Sequence, residues 1–128
     1  MLTVSLEGRE LRVQGMVDTA NLLKDPVSGR PVVILDSSTL KAFLPSFSGV
    51  IEGGAASIDR LPESLSRRVR LIPAETVTGR GLLPALLPDG AYLDAGRGEQ
   101  AVELLIAPAP LATPKDCKAL LPAELLTE

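Results

Sequence analysis

Met16-Val17-Asp18-Thr19-Ala20-Asn21 is an apolar run that ends in an acid, a hydroxyl and a very small residue. Hydrolysis of an amide by paired carboxyls asks for that order. The acid ends a buried strand, the hydroxyl stabilises its loop, and the third residue lets two such loops meet. The chain has 128 residues and one convincing copy of this pattern, so the pair of acids is expected from two identical chains. Upstream, Leu2, Val4 and Leu6 alternate with Thr3, Ser5 and Glu7. After Gly8-Arg9, Leu11 and Val13 alternate with Glu10, Arg12 and Gln14. Period-two alternation on both sides of a glycine predicts a β-hairpin with one buried face. The alternation stops at Gly15-Met16-Val17, where both faces turn apolar as the chain reaches Asp18.

Downstream, Leu22-Leu23 leads into Asp25-Pro26-Val27-Ser28-Gly29, a turn in which Pro sets φ and Gly offers a positive-φ position. Pro31-Val32-Val33-Ile34-Leu35 reads as a buried strand. Ser37 or Ser38 is expected to cap a short helix through Ala42-Phe43, stopped by Pro45. Residues 46–56, rich in Gly and Ser, read as a loop, and residues 59–68 as one or two helical turns with Pro62 near their start. Residues 69–77 look like a strand, Thr78-Gly79-Arg80-Gly81 a turn, and 82–86 its return. Pro88-Asp89-Gly90 is a turn, followed by short strands at 91–93 and 102–106. Thr113 and Pro114 predict a closing helix to Leu121. Many short strands with frequent turns imply a single, mostly β domain over residues 1–128, a closed barrel with one or two short helices.

Apolar residues make up 45% of the chain and aromatic ones only 2%, so the core must be built from Leu, Val, Ile and Ala. A formal charge of -3 argues against non-specific nucleic-acid binding, which needs a basic face. The one dense basic cluster, Arg67, Arg68 and Arg70, reads as solvated surface. The absence of histidine excludes a Ser-His or Cys-His nucleophile pair and the usual His-containing zinc sites. No metal and no cofactor is expected. Cys117 has no partner for an intrachain disulfide and no base beside it, and reads as an ordinary thiol. No signal-peptide pattern opens the chain, and its longest apolar run, 104–107, soon meets Pro108 and Pro110; no membrane span is expected.

The chemistry follows from the acid. Two carboxyls held close cannot both ionise, so they share one proton. One then takes a proton from water while the other donates to the scissile carbonyl. Thr19 is placed to hydrogen-bond across a two-fold axis, and Ala20 to allow close approach. An Asp at a strand end followed by small polar residues is also an ordinary turn. Two other acids share the outline. Asp36 is followed by serines suited to helix capping, and Asp94 by Gly96-Arg97-Gly98, an exposed turn, so both read as structural. Thr78, Gly79, Arg80 and Gly81 form a glycine-bearing hairpin tip, a candidate flap over an extended substrate. They lack the lysine and spacing of a phosphate-binding loop.

Together these segments resemble the peptidase domain of the sporulation sigma-E factor processing peptidases, a membrane-anchored aspartic peptidase family of spore-forming bacteria. The carrying residues are Asp18-Thr19-Ala20-Asn21, Asp25-Pro26 and Ser28-Gly29-Arg30-Pro31-Val32. Leu71-Ile72-Pro73, Gly79, Gly81-Leu82-Leu83-Pro84 and Pro88-Asp89 look like the family's central segment, and Ala119-Leu120-Leu121-Pro122 its end. The resemblance implies a retropepsin-like lobe, akin to one pepsin lobe, that dimerises to build its active site. Asp18 matches the catalytic aspartate; Thr19 and Ala20 match its supporting positions, the latter usually Gly. The implied substrate is a sigma-factor precursor that loses a short N-terminal pro-sequence, with a signalling protein as an expected activator. The family's N-terminal multi-span membrane segment is absent from these residues, which implies a soluble domain whose parent sits at the cytoplasmic face of the membrane. Two other readings remain open: a catalytically silent β-domain that binds a partner chain, and a structural barrel without a site.

Overall fold

The computed structural model describes residues 1–76, 79–111 and 116–126, with side chains at all of these except 75, 76, 79 and 80. The predicted hairpin is present as β1 (Leu2–Leu6) and β2 (Arg9–Val17), paired from Leu2↔Val13 to Leu6↔Arg9. Its turn is Glu7-Gly8, with φ of +57° and +73°. Two consecutive positive φ values match the right-handed twist of the strands, and Gly8 meets that demand without strain. Beyond Val13 the strand changes partner. A register shift between Gln14 and Gly15 turns β2 away from β1 and onto a parallel strand from the other end of the chain, β9 (Cys117–Leu121).

The predicted buried strand is β3 (Val32–Asp36), which pairs parallel with β8 (Leu105–Ala109) and antiparallel with β9. Both faces of β3 are covered, which is why its sequence is apolar without alternation. Val33 and Leu35 join the main core with Leu2, Val4, Leu6, Ile106, Ala119 and Leu121. Val32 packs on the opposite face with Ile72, Ala85, Leu105 and Ala107. That second layer comes from a long hairpin, β4 (Val69–Thr76) and β5 (Gly79–Leu86), followed by β6 (Gly90–Asp94) and β7 (Glu99–Ala101).

The sheet runs β4-β5-β8-β3-β9-β2-β1-β6-β7. The chain is mostly β, as expected, but the closed barrel is not formed: among the described strands nothing pairs β4 with β7. The β4–β5 hairpin joins the rest of the sheet through a single β5–β8 pair, Leu86↔Ile106. Three further expectations are corrected. Residues 46–56 are helical rather than a loop: 3-10 turns at Pro45–Phe47 and Gly54–Arg60 flank α2 (Ser48–Gly53), after α1 (Ser37–Phe43) and before α3 (Glu63–Ser66). Phe47 and Val50 are buried and Ile51 packs against them, a helical spacing that the glycines and serines between them obscured. Gly79, Arg80 and Gly81 lie in β5, not in a turn, because pairing continues to Thr76↔Gly79. The closing helix to Leu121 is strand β9 from Cys117 onward, inserted between β2 and β3; Thr113 and Pro114 lie outside the described residues. A slot with a strand edge on each side outweighs local helix-start signals.

Candidate active site

Asp18 follows the last residue of β2 directly and is half-buried. Its N–H donates to the carbonyl of Leu121 at 2.9 Å, so β9 holds the residue at the strand end. Its carbonyl accepts the N–H of Asn21 at 3.0 Å, and its carboxylate Oδ1 accepts the N–H of Ala20 at 3.0 Å. Among the described residues nothing donates to Oδ2. Met16 and Val17, expected to lie buried beneath the acid, are 38% and 41% exposed. The last residues of β2 therefore sit at the surface, where only β9 among the described strands pairs with them.

Asn21 is a residue whose role sequence reasoning missed. It is 7% exposed; its Nδ2 donates to the carbonyl of Val32 at 2.9 Å, and its Oδ1 accepts the N–H of Leu23 at 3.2 Å. The loop is thus pinned to β9 through Asp18 and to β3 through Asn21. Its position inside the quoted motif was the only available signal. Thr19 and Ala20 are exposed. The φ of Ala20 is not positive, so its methyl group imposes no backbone strain where the family usually has Gly.

A groove of about 700 Å³ opens over Asp18. It is lined by Asp18, Ala20, Asn21, Leu22 and Leu23 of the loop after β2, by Ile34, Pro108 and Ala109 of β3 and β8, and by Ala74, Gly81, Leu82 and Leu83 of the β4–β5 hairpin. Among the described side chains lining it, Asp18 is the only ionisable one. Of the flap candidates, Gly81 reaches the groove; Gly79 and Arg80 are described in backbone only, and Thr78 lies outside the described residues. Gly81 itself is not conformationally required, since a Cβ there would meet nothing within 4 Å.

The rival acids are engaged elsewhere. Asp36, rather than Ser37 or Ser38, is the N-cap of α1. Its Oδ2 accepts the Ser38 hydroxyl at 2.6 Å and the Thr39 N–H at 3.3 Å, while Oδ1 accepts the Leu111 N–H at 3.3 Å. The Ser38 hydroxyl, helped by the Leu111 and Thr39 amides, holds its carboxyl below the usual carboxylate range against the opposing effect of burial. The Ser28 hydroxyl, then the Val27 amide, lower Asp25 in the same way. Asp94 accepts the Gly96 N–H at 2.8 Å in a turn where Gly96 has φ +101°. Among the basic cluster, Arg68 pairs with Asp89 and donates to the Leu87 carbonyl, and Arg70 donates to the Arg67 and Val69 carbonyls. No helix among the described residues is long and apolar enough to cross a membrane.

The peptidase family U4, described as sporulation factor SpoIIGA, matches residues 1–125. The chain belongs to this family. A relative from Bacillus thuringiensis subsp. kurstaki, which carries the name of a sporulation sigma factor-processing peptidase, is 33% identical over an alignment covering 71% of this chain. The alignment spans 59% of that relative's length. No solved structure matches the chain. The sequence resemblance to this family therefore holds over nearly the whole of the chain.

Proposed function

We propose that this SpoIIGA-family chain is the peptidase domain of an aspartic endopeptidase, active as a homodimer, that removes the N-terminal pro-sequence of a sporulation sigma-factor precursor. One observation supports the reading: among the described side chains lining an apolar groove beside the β4–β5 hairpin, the one ionisable group is the carboxyl of Asp18. A lone carboxylate cannot act as acid and base at once, so a second must arrive, and a second copy supplies it. Met16, Val17 and Leu22 stand exposed beside Asp18, as an uncovered self-association face would leave them. Oδ2, to which no described residue donates, is offered to the partner acid, while the Ala20 amide orients the carboxyl through Oδ1.

In this reading the lobe is of the retropepsin kind, with an open sheet. Thr19 bonds across the axis and Ala20 permits close approach. An extended segment of the precursor lies in the groove beneath residues 79–83, its backbone pairing with the hairpin. The name of the relative supports the sigma-factor substrate. The membrane-anchored parent and the signalling activator follow from the family resemblance.

Purified chain mixed with a sporulation sigma-factor precursor tests the proposal. Wild type should shorten the precursor, and Asp18→Asn, folded and equally stable, should lower the rate by at least about 10³-fold, since loss of the acid–base pair removes its whole contribution. Processing by Asp18→Ala at the wild-type rate would end the reading. Co-elution with the precursor and no shortening would favour a silent binding domain instead.

A further inference from the structure

The seam between β2 and β9 contains one position with no room for a side chain. Gly15 stands three residues before Asp18, where the β2 register shifts. A Cβ there would lie 2.9 Å from both Cγ and Cδ1 of Leu121 and 3.3 Å from its Cδ2. Carbon atoms in contact prefer about 3.5–4 Å. Leu121 cannot swing aside, because it is 4% exposed and packed into the main core. Gly15 does not occupy a positive-φ conformation, so space and not backbone freedom accounts for the glycine. The carbonyl of this same Leu121 accepts the N–H of Asp18.

We infer that Gly15 is a positioning residue for the Asp18 carboxyl: its missing side chain lets Leu121 seat against β2, and the seated Leu121 fixes the strand end from which Asp18 projects. The inference rests on the proposed role of Asp18. Any push on Leu121 passes through one hydrogen bond to the acid. In a homodimer both chains carry the same displacement, so the separation of the two carboxyls changes twice over.

The test uses the full chain as Gly15→Ala, Leu121→Ala and the double variant, with a purified sporulation sigma-factor precursor as substrate. It reads kcat, KM, thermal midpoint and hydrogen exchange at the Asp18 amide. Gly15→Ala should lose about tenfold to a hundredfold in kcat, the scale of an ångström-sized misplacement of a reacting group. KM should stay within about twofold, because neither residue lines the groove. The Asp18 amide should exchange faster in this variant. The double variant should regain most of the kcat and the amide protection, since shortening Leu121 makes room for the new methyl while keeping its carbonyl.

A Gly15→Ala chain with wild-type kcat and wild-type Asp18 exchange overturns the inference. So does a loss that the folded double variant does not recover. If Gly15→Ala fails to fold, the double variant decides alone: folded with a protected Asp18 amide it supports the inference, unfolded it refutes it. If wild type leaves the precursor intact, the catalytic reading of Asp18 fails, and amide exchange across the three variants still decides the positioning claim.

Discussion

Replacing Asn21 by alanine should cost more stability than any other single change in the Asp18 loop. The side chain makes two hydrogen bonds, to the Val32 carbonyl at 2.9 Å and from the Leu23 amide at 3.2 Å. Val32 is fully buried, so its carbonyl would be left without a partner or water; Leu23 is half-buried, and its amide can be partly rehydrated. An orphaned buried group costs about 1–3 kcal/mol, and a rehydrated one less, which places the total near 2–4 kcal/mol. With urea slopes of about 1–3 kcal/mol per molar, the unfolding midpoint should fall by roughly 1–2 M. Asn21→Asp refines the test, because it keeps the acceptor for Leu23 and loses the donor to Val32. A carboxylate there would face a carbonyl in a buried site, which raises its folded pKa. Its penalty is therefore full above that raised value and is relieved as pH falls and the protonated acid regains a donor. Equilibrium urea melts at neutral and mildly acidic pH measure both. An Asn21→Ala midpoint equal to wild type, or an Asn21→Asp penalty that grows on acidification, would refute the reasoning.

Other outcomes follow from the same geometry. Thr3 is 3% exposed and its hydroxyl has no hydrogen-bond partner among the described residues, so the isosteric Thr3→Val should raise stability by about 1 kcal/mol; a destabilised variant in urea melts would contradict this. Asp36 has a folded pKa below its unfolded value, so its contribution is full above about pH 4 and is lost as pH falls through the lower folded value. Asp36→Ala should therefore cost about 1 kcal/mol near neutrality through the lost cap and show a shallower decline in stability below pH 4, where an acid limb as steep as wild type would count against it. Leu22 is 81% exposed, and Leu22→Asp should leave monomer stability within about 0.5 kcal/mol while reducing self-association, as sedimentation would show. An unchanged dimer would remove this face from the proposed interface.

Where local pattern and final environment agree, the sequence was readable. The β1–β2 hairpin, β3 and the paired strands β4 and β5 all announce themselves through alternation, buried apolar runs and turn residues. The Asp18 loop was readable for the same reason: an abrupt change from strand to small polar residues needs no distant partner to be seen. The C-terminal segment was not. Cys117, Lys118 and Ala119 have no marked strand character, and Pro114 mimics a helix start, yet the gap between β2 and β3 requires a strand. The helical residues 48–53 were hidden because Gly49 and Gly53 suggest a loop while Val50 and the neighbouring Phe47 supply the burial. Closure of the sheet depends on where β4 and β7 end up, and no local signal reports the separation of two edges.

The same distinction separates the acid from what holds it. The role proposed for Asp18 starts from a local pattern: an acid, a hydroxyl and a small residue in a row. Its support comes from the last strand of the chain and from β3, through the Leu121 carbonyl and the Asn21 amide. Each of these contacts joins segments far apart in sequence or crosses a loop, so neither is implied by the residues beside it. The β1–β2 hairpin alone cannot place the Asp18 carboxyl, since β2 leaves β1 at Gln14 and, among the described strands, only β9 accompanies it to the strand end. The strand that completes the fold is therefore also the one that aims the acid. Changes in residues 117–121 should register in the groove although none of these residues lines it.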